Sequence, residues 1–138
     1  MTAEAERRLL QTAVAFAALV PLSMGLLSVV QGPAVLHGVA APAPDDLDSH
    51  FRYLSGLLLG IGIVFAACIP AIERKGPLFR ALGAIVIIGG LSRLVSLADV
   101  GAPGSGHLFG LAMELGIVPL ILLWQARVAR RFDRPQNS

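Results

Sequence analysis

From Leu9 to Val30 the chain runs for 22 residues without a charged side chain, broken only by Gln11, Thr12, Pro21, Ser23 and Ser28. An α-helix rises about 1.5 Å per residue and a bilayer's hydrocarbon core is about 30 Å thick, so about 20 apolar residues cross it. Leu54–Ile72 is equally free of charge. Two further stretches of similar length carry a few charges: Arg80, Arg93 and Asp99 in Leu78–Val100, and Glu114 in Leu108–Gln125. Backbone groups facing lipid must bond within their own segment, and four spans are too few to close a β-barrel. The spans are therefore helices. The sequence predicts an all-α integral membrane four-helix bundle in a single transmembrane domain, 1–138. Its helices are expected at about 8–30, 49–72, 78–100 and 107–130, with up-down antiparallel connections and an external loop at 31–48.

Composition agrees. Hydrophobic residues make up 55% of the chain and charged ones 14%, with a mean hydropathy of +0.73, which excludes an ordinary water-soluble domain. A net charge of +2 and a pI near 9.3 would fit an acidic partner, but the basic residues sit at the ends of apolar runs, so nucleic acid is excluded as a partner. Arg7, Arg8, Arg74, Lys75, Arg80, Arg127, Arg130, Arg131 and Arg134 all fall on one side of the expected membrane, with only Glu4, Glu6, Glu73 and Asp133 against them. The other side carries Arg52 and Arg93 against Asp45, Asp46, Asp48, Asp99 and Glu114. The positive-inside rule puts the basic side, and both termini, in the cytoplasm. A cleaved signal peptide is the alternative for the first run, but its apolar core is longer than such signals carry.

The connections read clearly. Gly32, Pro33, Gly38, Pro42 and Pro44 prevent residues 31–47 from forming one helix, and Asp45, Asp46 and Asp48 form an acidic cap to the second helix. Gly76-Pro77 and the segment 101–106 mark short turns, so successive helices are antiparallel neighbours. Tyr53 and Trp124 sit where interfacial aromatic belts lie. Pro21 and Pro119 fall mid-helix, where kinks are expected. Gly56 to Gly60 forms a GxxxG packing face, and Ser92 to Ser96 and Ala112 to Gly116 form weaker ones. Cys68, the only cysteine, lies in an apolar run and has no intramolecular disulfide partner.

The charges inside the spans carry the functional argument. Arg93 lies seven residues before the end of the third helix and Glu114 seven after the start of the fourth, about 10 Å along each axis. Across a short antiparallel turn they reach the same depth, and leaving either in lipid costs about 2.5–3.5 kcal/mol. An ion pair is expected, with Gly89, Gly90 and Ser96 leaving room for it. Such a pair either fixes helix register or lines a polar pocket opening outward. Arg52, Tyr53, His50, His107 and Ser96 are candidates for the rest of that pocket. His37, His50 and His107 all fall on the outer side, but no HExxH or CxxC accompanies them, so neither a metal nor any other cofactor is expected. No nucleophile motif or phosphate-binding glycine loop is present.

His50-Phe51-Arg52-Tyr53-Leu54-Ser55-Gly56, Gly89-Gly90-Leu91-Ser92-Arg93-Leu94, Gly101-x-Pro103 and Glu114-Leu115 together resemble a bacterial family of small four-helix membrane proteins catalogued only as a domain of unknown function, over about Leu9 to Arg131. The resemblance implies a bacterial inner-membrane location and the four-helix layout, with no activity to carry over. The expected function is that of a non-enzymatic membrane protein, multi-pass in the inner membrane. It would bind a lipid or small amphipathic molecule, or serve as an accessory subunit of a larger membrane complex. An oligomeric, proton-coupled transporter using Glu114 and a metalloenzyme using the outer histidines are the alternatives.

Overall fold

The computed structural model of the chain describes residues 1–133. Among them the regular structure is entirely helical, with no strand. Four long helices follow one another: α1 Ala3–Gln31, α2 Asp45–Cys68, α3 Gly76–Asp99 and α4 Ser105–Asp133. All four are long and apolar enough to cross a membrane, with hydropathies of 1.8 to 2.2 over their most apolar windows, of which no more than 22% is buried within the protein. Faces carrying Phe16, Leu57, Ile88, Val95 and Leu123 are open. So much bare apolar surface is at odds with water as the solvent, and it is the make-up of a multi-pass membrane protein.

The helices begin earlier than their apolar runs because polar residues start them. Thr2 Oγ1 accepts the Ala5 N–H at 3.2 Å, and Glu4 and Glu6 occupy the first turn of α1, where unsatisfied amides favour negative charge. Asp45, Asp46 and Asp48 do the same for α2, forming its first turn after Pro44 rather than preceding the helix. In α3, Pro77 occupies the first turn, where its missing N–H costs nothing. Inside α4, Met113–Ile117 is π-helical, and the Val118 N–H bonds back to the Met113 carbonyl. Pro119 follows at once; it has no N–H for the Leu115 carbonyl and crowds it, and the widened turn lies where an α-helical bond would be lost. Pro21 is carried within α1.

Packing divides the chain into two units, Ala13–Ile69 and a second made of Met1–Thr12 with the chain from Pro70 onward. In the first, α1 meets α2 closely at Gly25, where a Cβ would stand 2.8 Å from the Leu59 amide nitrogen, and at Gly62, where it would stand 3.2 Å from that of Leu22. The expected Gly56–Gly60 face is not a packing face among the described residues: nothing comes within 4 Å of a Cβ at either position. After α1 the chain turns through Gly32, whose φ of +62° favours a residue without a side chain, into a single 3-10 turn, Gly32–Val35.

In the second unit α3 packs against α4 through three glycines spaced seven apart. Gly76, Gly83 and Gly90 are all buried, and a Cβ on them would crowd Arg80 and Gln125, Leu122, and Leu115 and Glu114 respectively. That repeat keeps one small-residue stripe turned toward a neighbouring helix. The fully buried apolar side chains of this unit include Leu10, Ile72, Phe79 and Val128, and at its far end Arg131 reaches the Met1 carbonyl.

Candidate functional site

At the opposite end of this unit, α3 and α4 join through a turn in which Gly101 has a φ of +106°. Arg93, Ser96 and Leu97 stand three and four residues apart on α3, and His107, Leu111 and Glu114 four and three apart on α4, so each set shares a face. The turn brings the two faces together. Arg93 Nε lies 3.1 Å from both Oε1 and Oε2 of Glu114. The absence of a side chain on Gly90 makes this approach feasible, since a Cβ there would stand 2.9 Å from Glu114 Cβ; Gly89 faces open space instead. The Glu114 side chain is 17% exposed and that of Arg93 40%.

The one hydrogen bond between them runs from Nε to Oε1; the buried Oε2 has no hydrogen-bond partner, and neither Nη of Arg93 makes a hydrogen bond among the described residues. Beside it is a small cleft of about 90 Å³, walled by Arg93, Ser96, Leu97, Pro103, His107 and Leu111. Its polar lining is thus a guanidinium, a hydroxyl and an imidazole, all able to donate hydrogen bonds, set between leucines. Donors of this kind hold an anionic or strongly polar group, and the leucines accept apolar matter beside it.

Arg52, Tyr53 and His50 lie on α2 in the other packing unit. Arg52 is committed locally: Asp48 takes its Nε at 2.8 Å and its Nη2 at 3.1 Å, while Nη1 donates to the carbonyls of Val29 and Val30. A cation thereby satisfies the last carbonyls of α1, which carry the negative end of the helix dipole. Gly32 is glycine here for space as well as for φ, since a Cβ would stand 2.6 Å from Arg52 Nη2. Tyr53 and His50 are exposed. A broader depression of about 470 Å³ lies over the 31–49 segment, and its only charged lining residues are Asp45 and Asp48. His37, His50 and His107 do not come together in a metal-binding group: no cluster of three or more His, Cys, Asp or Glu suited to a metal occurs among the described residues.

Sequence reasoning missed a second charged cluster, at the end where Arg131 reaches Met1. Glu6, its side chain 3% exposed, forms ion pairs with Arg127 Nε at 3.0 Å and Arg131 Nη1 at 2.7 Å. Glu73, 6% exposed, lies between Arg7 and Arg74 at 3.7 and 3.4 Å, and the Arg7 guanidinium sits over the Phe132 ring. Fully buried Gln125 donates from Nε2 to the Ile72 carbonyl at 2.9 Å. In sequence these residues read only as charges flanking spans; the available clue was Gln125, the polar residue that closes the last apolar run.

Residues 9–125 match a family model described as a domain of unknown function, DUF4345. The chain belongs to that family. No curated protein and no solved structure matches it. The matched region contains Arg93, Glu114, Arg52 and their surroundings. It begins after Glu6 and ends before Arg127 and Arg131, so the charged cluster at the termini straddles its borders.

Proposed function

We propose that this DUF4345 protein is a non-enzymatic, multi-pass protein of the bacterial inner membrane that holds a lipid or other small amphipathic molecule in the cleft beside Arg93. Its termini face the cytoplasm, where the excess of Lys and Arg at that end belongs, and the α3–α4 turn faces outward. One observation carries the reading: within spans that are otherwise apolar, a charged pair with unused donors borders a cleft that also offers Ser96 and His107. Charged side chains within membrane spans are costly and mark sites or pathways. The apolar walls, Leu97 and Leu111, suit a ligand with an oily portion.

The test is mass spectrometry of small molecules that co-purify with the protein in mild detergent, run on the wild type and on Arg93→Leu. A molecule retained by the wild type and lost from a folded Arg93→Leu supports the proposal. Identical, purely detergent-derived spectra from both proteins would sink it.

A further inference from the structure

We infer that the cleft is a site for an oxyanion, a phosphate or carboxylate group presented by an amphipathic molecule, with the two Nη nitrogens of Arg93 as its fork and Glu114 as a positioning residue. This rests on the ligand-binding reading above and names the chemistry that the ligand brings.

Glu114 holds the guanidinium at one nitrogen. A carboxylate engaging arginine side-on would occupy two nitrogens at once. Here both oxygens of Glu114 converge on Nε at 3.1 Å. The edge formed by Nη1 and Nη2, with four N–H groups in a rigid plane, makes no hydrogen bond among the described residues, and that edge matches the spacing of two oxygens on a carboxylate or phosphate. Glu114, mostly buried and close against Gly90, anchors the guanidinium at Nε through Oε1.

The rest of the lining favours the same class of group. The Ser96 hydroxyl makes no hydrogen bond among the described residues and His107 is exposed, so both are available as donors. No carboxylate lines the cleft to repel an anion or to recruit a cation. At about 90 Å³ the space is small beside the roughly 300–1,000 Å³ of pockets that enclose a whole drug-sized ligand. It therefore takes one head group, while the remainder of the molecule stays outside against exposed apolar residues such as Leu94, Val95 and Leu108.

Glu114 also makes the proposal sharply testable. Its negative charge opposes an incoming anion, so a site built for oxyanions gains affinity when that charge is removed and the shape is kept. A site for a neutral or cationic ligand gains nothing.

The full chain in neutral detergent is titrated, by isothermal calorimetry at constant pH, with lysophosphatidic acid, with a monoacylglycerol of the same chain length, and with inorganic phosphate. The expected result is lysophosphatidic acid binding at least tenfold tighter than monoacylglycerol, Arg93→Lys erasing that difference, and Glu114→Gln increasing it several-fold. Saturable inorganic phosphate binding as tight as that of lysophosphatidic acid, lost in Arg93→Lys, also supports the oxyanion site and makes a soluble anion its source; phosphate binding only far more weakly makes it a lipid head group. Equal affinity for the two lipids, unchanged in Arg93→Lys, overturns the oxyanion inference while leaving the ligand-binding reading intact. No binding of any probe overturns the inference too, and the co-purification measurement then judges the broader reading separately. Should Arg93→Lys fail to fold, Ser96→Ala combined with His107→Gln serves instead, with a loss of about fivefold expected for lysophosphatidic acid and none for monoacylglycerol; equal effects on both lipids count against the site.

Discussion

The two ends of the α3–α4 unit both rest on ion pairs, and they are built to opposite specifications. At the end where Arg131 reaches Met1, Glu6 and Glu73 are almost wholly enclosed, four arginines neutralise them, and Leu10, Ile72, Phe79 and Val128 of the same unit are fully buried. At the α3–α4 turn a single arginine meets a single carboxylate, the arginine is partly open, and α4 has no buried residue between Ser105 and Ile117. A buried carboxylate surrounded by arginines is costly to disturb, because removing its partners leaves a charge with nothing to replace water. A half-open pair with unused donors is cheap to rearrange. The contrast separates the task of holding the helices together from the task of meeting a ligand.

That contrast breaks most easily at Glu6. Replacing both Arg127 and Arg131 by Leu strands its carboxylate and should lower stability by about 3–5 kcal/mol, read as thermal unfolding in detergent, with Glu6→Leu added to the pair restoring most of the loss. Glu6→Leu alone should cost less, since it leaves behind two arginines that solvent already reaches. A double arginine variant as stable as the wild type would remove the distinction between the ends. Next in size is Gly90→Ala, which forces Glu114 and Leu115 away from α3 and should cost about 1–3 kcal/mol, with loss of the Arg93–Glu114 contact as the diagnostic.

Gln125→Leu should cost about 1 kcal/mol, because the Ile72 carbonyl loses its donor. The cost stays modest because the unpartnered Oε1 is removed at the same time. A double-mutant cycle on Arg93→Leu and Glu114→Leu should give a coupling near 0.6 kcal/mol, typical of polar contacts between membrane helices. A coupling of several kcal/mol would make the turn end as much a structural clamp as the other. Smallest of all, Gly56→Ala and Gly60→Ala should change stability by less than about 0.5 kcal/mol, since a methyl group there meets open space.

The helices themselves are legible in the sequence because apolar length is a one-dimensional property, and so is the depth match of Arg93 and Glu114, which needs only a short turn and a helical rise. What escapes is what depends on rotation and on distant partners. The seam of α3 lies at Gly76, Gly83 and Gly90, a spacing of seven, whereas the spacing of four in Gly56 and Gly60 marks positions where a Cβ would meet nothing within 4 Å among the described residues. Arg52 reads as a candidate for the outer pocket, yet its targets are Asp48 and the carbonyls of Val29 and Val30, backbone groups that no residue type announces. Glu6 and Glu73 read as solvated flanking charges because their partners lie on segments far along the chain. Nor does Pro119 disclose that its lost bond falls beside a π-helical turn.

That turn makes the two halves of the last helix separately indexed. The stretch from Met113 to Ile117 winds the chain more loosely than its flanks, and so it sets the angular phase at which Gln125, Arg127 and Arg131 leave the helix relative to His107 and Leu111. Deleting one residue there would swing everything downstream by about 100°. Either the far carboxylates keep their arginines or the near face keeps its alignment, and a chain of this length has no slack to preserve both.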